Sequence, residues 1–311
     1  MKKFAALLFS LLTLPALAQP SLKMMIPANP GGGWDQTGRS LASAMQSAKL
    51  VSSVQFDNKG GAAGIIGLAQ FVNASKGDPH AVMMGGMVMV GGIILGKSAI
   101  NLSQVTPIAR LTSEWEVIVV PAASPLKSMA DLVKMLKENP GKVSWGGGSA
   151  GGTDHILAGL IARAVGVEPA KVNYVPYKGG GEAVAAILGG HVTVGVSGIG
   201  EFAEHVKSGK MRALAQSAPA SVDGIPSLKE QGIDVVLGNW RGIFGAPGIT
   251  PQQRDGLVKL VKDATETPAW KATLEKLGWM PFFLGGDDYA RFIEEDTQRV
   301  GAIIESLGLK K

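Results

Sequence analysis

The stretch Asn29-Pro30-Gly31-Gly32-Gly33-Trp34-Asp35 constrains the fold of this chain more than any other. A short apolar run at residues 22–27 leads into it, and an apolar-periodic segment at 35–46 leaves it. The order is strand, glycine loop, helix start. A helix start leaves its first backbone N–H groups without intrahelical partners and carries the positive end of the helix dipole. The glycines strip side chains from the approach. Such a junction favours an anion above it. Asp35 suits a capping and bracing role in the first turn and is a poor contact for an anion. Alone, the motif fits a plain turn equally well.

The junction recurs. Trp145-Gly146-Gly147-Gly148-Ser149-Ala150-Gly151-Gly152-Thr153-Asp154-His155 follows a strand-like run and opens a helical pattern, with Ser149 and Thr153 offering hydroxyl donors. Gly60-Gly61-Ala62-Ala63-Gly64 and Met84-Gly85-Gly86-Met87-Val88 are two further glycine-rich turns after strands. Strand-like runs at 22–27, 53–57 and 81–85 alternate with helical patterns at 35–46 and 65–74. A second set has strands at 142–145, 172–175, 192–196 and 211–215, with helices at 153–165, 181–188 and 202–208. This alternation predicts an α/β fold of two lobes, each a mainly parallel sheet flanked by helices. Ligands of such sheets bind at the carboxyl ends of the strands, where the glycine loops fall. The runs 116–121 and 235–244 are read as strands crossing between lobes, and helices at 251–266, 268–277 and 287–307 as a return to the first. Lobe one is then 19–120 with 241–311, lobe two is 121–240, and a cleft lies between them.

The 311 residues suffice for two domains, and 46% hydrophobic content is enough for a core. The 43 glycines follow no three-residue period, which excludes collagen. Residues 1–18 read as a secretory signal: Lys2 and Lys3, an apolar stretch too short to span a bilayer, and Ala16-Leu17-Ala18 as the cleavage site. With no cysteine, neither lipid anchoring nor disulfides are available. The formal charge of +5 is scattered, without the basic face that nucleic acid requires.

Several chemistries are disfavoured by spacing. Loop one matches neither the dinucleotide fingerprint nor a phosphate loop, which would end in Lys-Ser/Thr. The four histidines, His80, His155, His191 and His205, form no metal-binding pair at helical spacing, so neither metal nor cofactor is expected. Ser149 with His155 invites a hydrolase reading. Asp154 adjoins His155 in sequence, however, and neighbours on a helix point about 100° apart. His155 is expected to hydrogen-bond the loop or pack beneath it.

Tyr174-Val175-Pro176-Tyr177-Lys178-Gly179-Gly180-Gly181-Glu182-Ala183 carries a family likeness. Ile187-Leu188-Gly189-Gly190-His191-Val192, Gly209-Lys210-Met211-Arg212-Ala213-Leu214-Ala215, Trp240-Arg241-Gly242 and Gly245-Ala246-Pro247-Gly248 extend it. With the glycine loops, these motifs resemble the periplasmic receptors of tripartite tricarboxylate transporters, the TctC or Bug family, over nearly the whole mature chain. Loop one with Gln36-Thr37-Gly38-Arg39 is most similar to the tricarboxylate (citrate) branch. One departure is Gly77-Asp78-Pro79-His80, where the family commonly has Pro-Asp-Gly.

The resemblance implies a type II periplasmic binding protein and not an enzyme. It implies a monomer in the periplasm that captures a small di- or tricarboxylate, citrate foremost, for membrane permease subunits. Within the family the ligand carboxylates are held largely by backbone N–H groups and water. Ligand contact is accordingly expected at Asn29, Gly31, Gly32, Gly33, Trp34 and Asp35 of loop one. On its lobe Ala63, Gly64, Gly86 and Met87 join them. From the second lobe come Gly147, Gly148, Ser149, Gly152, Thr153 and His155, with Tyr177, Gly179 and Ser197. Of the nearby cations Arg39, Lys59, Lys178 and Arg241, only Arg241 is expected to reach the ligand. Other readings are a receptor for aspartate, nicotinate or an aromatic acid, a ligand sensor for a membrane kinase, and a hydrolase using Ser149.

Overall fold

A computed structural model describes residues 19–178 and 180–309. The secretory signal expected at 1–18 and the ligand contact expected at Gly179 lie outside the described residues. Strands β1 (Ser21–Ile26), β2 (Ser53–Asn58) and β3 (Ala81–Gly86) run parallel with β1 in the middle. Helices α1 (Gly33–Ser47) and α2 (Ile65–Ala74) make the crossovers. β3 is buried along its whole length, as befits a central strand covered on both faces. In α1 the buried positions Trp34, Thr37, Gly38, Leu41 and Met45 form one stripe. Gly38 lets that stripe sit close on β1, since a Cβ there would lie 2.9 Å from Met24 Sδ.

α3 (Met87–Leu95) follows β3 directly and leads to β4 (Thr106–Pro121). The second lobe then unfolds as α4 (Met129–Glu138), β5 (Ser144–Gly147), α5 (Thr153–Ala164), β6 (Asn173–Pro176) and α6 (Gly180–Leu188). β7 (Val194–Gly198), α7 (Ile199–Lys207) and β8 (Met211–Gln216) complete it. The chain closes with β9 (Gly238–Gly245), α8 (Pro251–Thr265), α9 (Pro268–Leu277), β10 (Met280–Gly285) and α10 (Gly286–Ser306).

The strand order is β2-β1-β3-β9-β4-β7-β5-β6, with β8 and β10 also pairing with β4. Each lobe has a parallel triplet, β2-β1-β3 or β6-β5-β7, and antiparallel strands complete both sheets. β4 is the reason. Its first part pairs with β9 and β10 in one sheet, and from Glu116 it pairs with β7 and β8 in the other. One strand therefore serves both sheets. β9 lies wholly in the first sheet, between β3 and β4. α10 returns to pack on β4 and α3.

Three features go beyond the sequence reading: α3, β10, and the start of β4 at Thr106 rather than Glu116. α3 is apolar on all sides, so it shows no 3.6-residue periodicity. Trp145 and Trp240 are core residues, Trp240 donating to Asp296 at 2.7 Å. No helix among the described residues is long and apolar enough to cross a membrane.

Candidate functional site

A cavity of about 70 Å³ lies between the lobes at the carboxyl ends of the parallel strands. Of the residues expected at the site, Gly32, Gly33, Trp34, Ala63, Gly64, Gly148, Ser149, Ser197 and Arg241 line it. Asp154, Glu201, Asn239, Gly180, Val88 and Lys178 also line it, as do Pro27 and Ala28. The other expected residues stand behind or beside it. Asn29, Gly31 and Asp35 brace loop one, while Gly147, Gly152, Thr153 and His155 belong to the frame of loop two. Gly86 and Met87 are buried beneath the first lobe's wall, and Tyr177 lines an adjoining opening with Ala62, Ser149 and Lys178.

Four helices start at this cavity on a glycine. α1, α2, α5 and α7 have the N-caps Gly32, Gly64, Gly152 and Gly198, and no side chain caps any of them. Away from the cavity, α4, α8 and α9 are capped by the hydroxyls of Ser128, Thr250 and Thr267, while α10 also starts on an uncapped glycine, Gly285. A hydroxyl cap satisfies one of the orphan N–H groups of a helix start. A glycine cap supplies no acceptor of its own, so the donors and the dipole face the cavity, the Gly33 N–H toward the Glu201 carboxyl.

Loop one is held from below. Gly31 has φ +89°, which suits glycine, and its N–H donates to Asp35 Oδ2 at 3.0 Å. Asp35 also accepts from Arg39 Nε at 2.9 Å and Asn58 Nδ2 at 3.0 Å. Burial would raise its pKa, but the hydrogen bonds from Arg39, Asn58 and Gly31 outweigh burial and hold it below the usual range. Under Gly33 lies the Arg241 guanidinium, so close that a Cβ on Gly33 would strike it. Arg241 is paired with the buried Glu114 and donates to Thr37 Oγ1 at 3.2 Å. Burial lowers its pKa to about 9, which leaves it a cation at neutral pH.

Loop two is held by different chemistry. Gly148 N–H donates to Asp154 Oδ2 at 2.5 Å, and Tyr174 OH donates to Gly148 O at 2.8 Å. His155 Nδ1 accepts from Gly151 N–H at 3.1 Å, and its ring stacks on Tyr174 with centroids 4.4 Å apart. Burial lowers His155 to about 4, so the ring is neutral. Behind Asp154 stands Glu116, wholly buried. Burial and then the Asp154 charge keep Glu116 well above the carboxylate range, so it carries a proton. Burial raises Asp154 itself to about 6, against the hydrogen bond from Gly148.

The lobes touch at several points. Thr153 Oγ1 donates to Asn239 Oδ1 at 3.2 Å, and Asn29 Nδ2 donates to Glu182 Oε1 at 2.6 Å. Gly33 N–H faces the Glu201 carboxyl across the lobes, and that carboxyl accepts from Ser197 Oγ. α3 meets loop two backbone to backbone: Gly91 O lies 3.0 Å from where a Cβ on Gly151 would stand.

Glu114, Glu116, Asp154, Glu201 and Asn239 were not anticipated as site residues. A signal existed for the first two. Glu114-Trp115-Glu116 puts acids two apart at the head of the β-branched run 117–120, where a strand should be buried.

The family model described as "Tripartite tricarboxylate transporter family receptor" matches residues 38–309. The chain belongs to this family. It is a receptor of the TctC and Bug type. A protein of Cupriavidus necator, "UPF0065 protein in gbd 5'region", is 30% identical over 314 residues, covering 97% of this receptor and 93% of that protein. The solved periplasmic binding protein BugD shares the fold with TM-score 0.82 at 22% identity, covering 94% of the receptor and 99% of BugD. MatC from Rhodopseudomonas palustris, solved with bound malate, has TM-score 0.78 at 20% identity and covers 94% of the receptor and 100% of MatC.

Proposed function

We propose that this receptor captures a small di- or tricarboxylate, citrate the first candidate, and delivers it to the permease of a tripartite tricarboxylate transporter. The carrying observation is the set of uncapped, glycine-started helices from both lobes that open on one cavity. Buried N–H donors bind anions more strongly in a dry cleft than in water. The malate bound by MatC is in keeping with a carboxylate guest. Residues 19–120 with 241–311, and residues 121–240, move as the two lobes, and β4 flexes where it passes from one sheet to the other. The chain is exported, with its leader cleaved near Ala18, and acts as a monomer. It binds without turnover: His155, the base a Ser149 hydrolase would need, has its Nδ1 committed to Gly151 N–H.

The test is a thermal-shift panel of citrate, isocitrate, aconitate, succinate, aspartate and nicotinate. A ligand at a hundred times its Kd stabilises the folded state by about 2.7 kcal/mol, which moves the midpoint by several degrees. A shift with citrate or a related acid, confirmed as one-to-one by calorimetry, is expected. If no di- or tricarboxylate moves the midpoint, the assignment is wrong.

A further inference from the structure

Two carboxyl side chains, Asp154 and Glu201, line the wall against which a carboxylate ligand would lie. The guanidinium on that wall is already committed, Arg241 being paired with Glu114 and hydrogen-bonded to Thr37. Lys178 is exposed at the rim. An acidic wall repels a polyanion unless the ligand turns a hydrogen-bond donor toward it. A metal bridge would be another solution, but no three acidic or histidine side chains among the described residues converge to hold one.

Asp154 is the less available of the two, since it is buried and grips Gly148 N–H at the short distance of 2.5 Å. Glu201 is different. Ser197 Oγ donates to it, and the Gly33 N–H of the other lobe faces it. It sits in the first turn of α7 and against the first residue of α6, where a Cβ on Gly180 would strike its carboxyl. The starts of α6 and α7 thus meet at one side chain, and burial raises its pKa to about 7, so it is an ionised acceptor above neutral pH. A carboxylate has about four lone-pair sites. Ser197 Oγ uses one here, and the side chain lines the cavity.

Resting on the carboxylate reading above, we propose that Glu201 determines specificity. Its carboxylate accepts a hydrogen bond from a donor on the ligand backbone, a hydroxyl or an ammonium, so that hydroxy- or amino-substituted di- and tricarboxylates are selected over unsubstituted ones. The unsubstituted acid sets a methylene against Glu201 and leaves a desolvated acceptor without a partner, which is the situation that discriminates most sharply.

The experiment is calorimetric Kd measurement on the full mature chain, at about pH 8 so that carboxyl groups are ionised. Citrate is compared with propane-1,2,3-tricarboxylate, and malate with succinate; aspartate in place of malate distinguishes an ammonium donor from a hydroxyl. For the backbone length the receptor accepts, the donor-bearing acid should bind at least about tenfold tighter. Glu201→Gln, which preserves size, should reduce that ratio to within about threefold of unity, and Glu201→Ala should do the same. Ser197→Ala, which removes the hydroxyl that positions Glu201, should lower the ratio partway, and circular dichroism checks that each variant is folded. Equal affinity for both members of each pair overturns the proposal, and so does a ratio unchanged in a folded Glu201→Gln protein. Absence of binding by every carboxylate defeats the carboxylate reading itself, and this inference with it.

Discussion

Loop one and loop two share a plan and differ in charge. Each follows a parallel strand, starts a helix at an uncapped glycine, and uses a first-turn aspartate to grip a loop N–H: Asp35 takes Gly31, and Asp154 takes Gly148. The elements behind them are opposite in kind. Asp35 meets Arg39 and Asn58 and is held ionised, over the Arg241–Glu114 pair. Asp154 meets protonated Glu116 and is raised to about 6, beside a neutral His155. Both glutamates come from β4, two residues apart. One strand thus supplies an ion-paired carboxylate beneath the first loop and a protonated carboxyl beneath the second. The lesson is that one motif can cradle anions over two different electrostatic floors, and only the neighbours distinguish them.

The comparison breaks most severely at Arg241. Arg241→Ala strands Glu114 as a buried charge and should cost about 3–5 kcal/mol in denaturant melts, whereas Arg241→Met with Glu114→Gln should recover most of it. A loss below about 1 kcal/mol would mean the pair does not support loop one. Next comes the backbone. Gly33→Ala drives a Cβ onto the Arg241 guanidinium, while at Gly148 the nearest atom is Asp154 Oδ2 at 3.2 Å. Gly33→Ala should destabilise by about 1–3 kcal/mol and cut ligand affinity roughly a hundredfold; Gly148→Ala should cost no more than about fivefold in affinity. Equal effects in calorimetry would erase the distinction between the loops.

The smallest effect, and the most diagnostic, is the pH dependence. Asp35 has a lowered folded pKa, so its stabilisation is present above the unfolded value of 3.8 and is lost as pH falls through the folded one. Asp35→Asn should therefore cost about 1–2 kcal/mol at neutral pH and progressively less in acid. Asp154 is raised to about 6 from 3.8, so across that window the native state binds more protons than the unfolded chain. Its contribution is favourable in acid and is lost as pH rises, by at most about 1.4 kcal/mol for each pH step of one between the two values. Asp154→Asn should gain on wild type between about pH 4 and 7. His155, lowered to about 4 from 6.5, works the other way in both proteins and cancels in the difference. Urea midpoints at the two ends of that range decide it; parallel slopes for the two aspartate variants would refute the opposed floors.

Much of this was legible in the sequence because it is local. The strand–glycine–helix junctions and the bracing role of Asp35 follow from neighbours within a few residues. So does the placement of His155 against its own loop. β10 and α3 were illegible for a local reason too: one is a short strand after a helix, and the other is apolar on every face. The acidic partners were illegible for the opposite reason. Glu114 and Arg241 stand 127 residues apart in sequence, and Glu201 reaches Gly33 only across the two lobes.

The sequence by itself determined the helix starts, the glycine loops and the family to which they belong. These depend on backbone conformation and capping, which a few adjacent residues decide. Only the tertiary structure decided which carboxyl groups meet an arginine, which carry a proton, and which face the cavity. Protonation depends on charges and burial within a few ångströms, and those neighbours are delivered by distant strands.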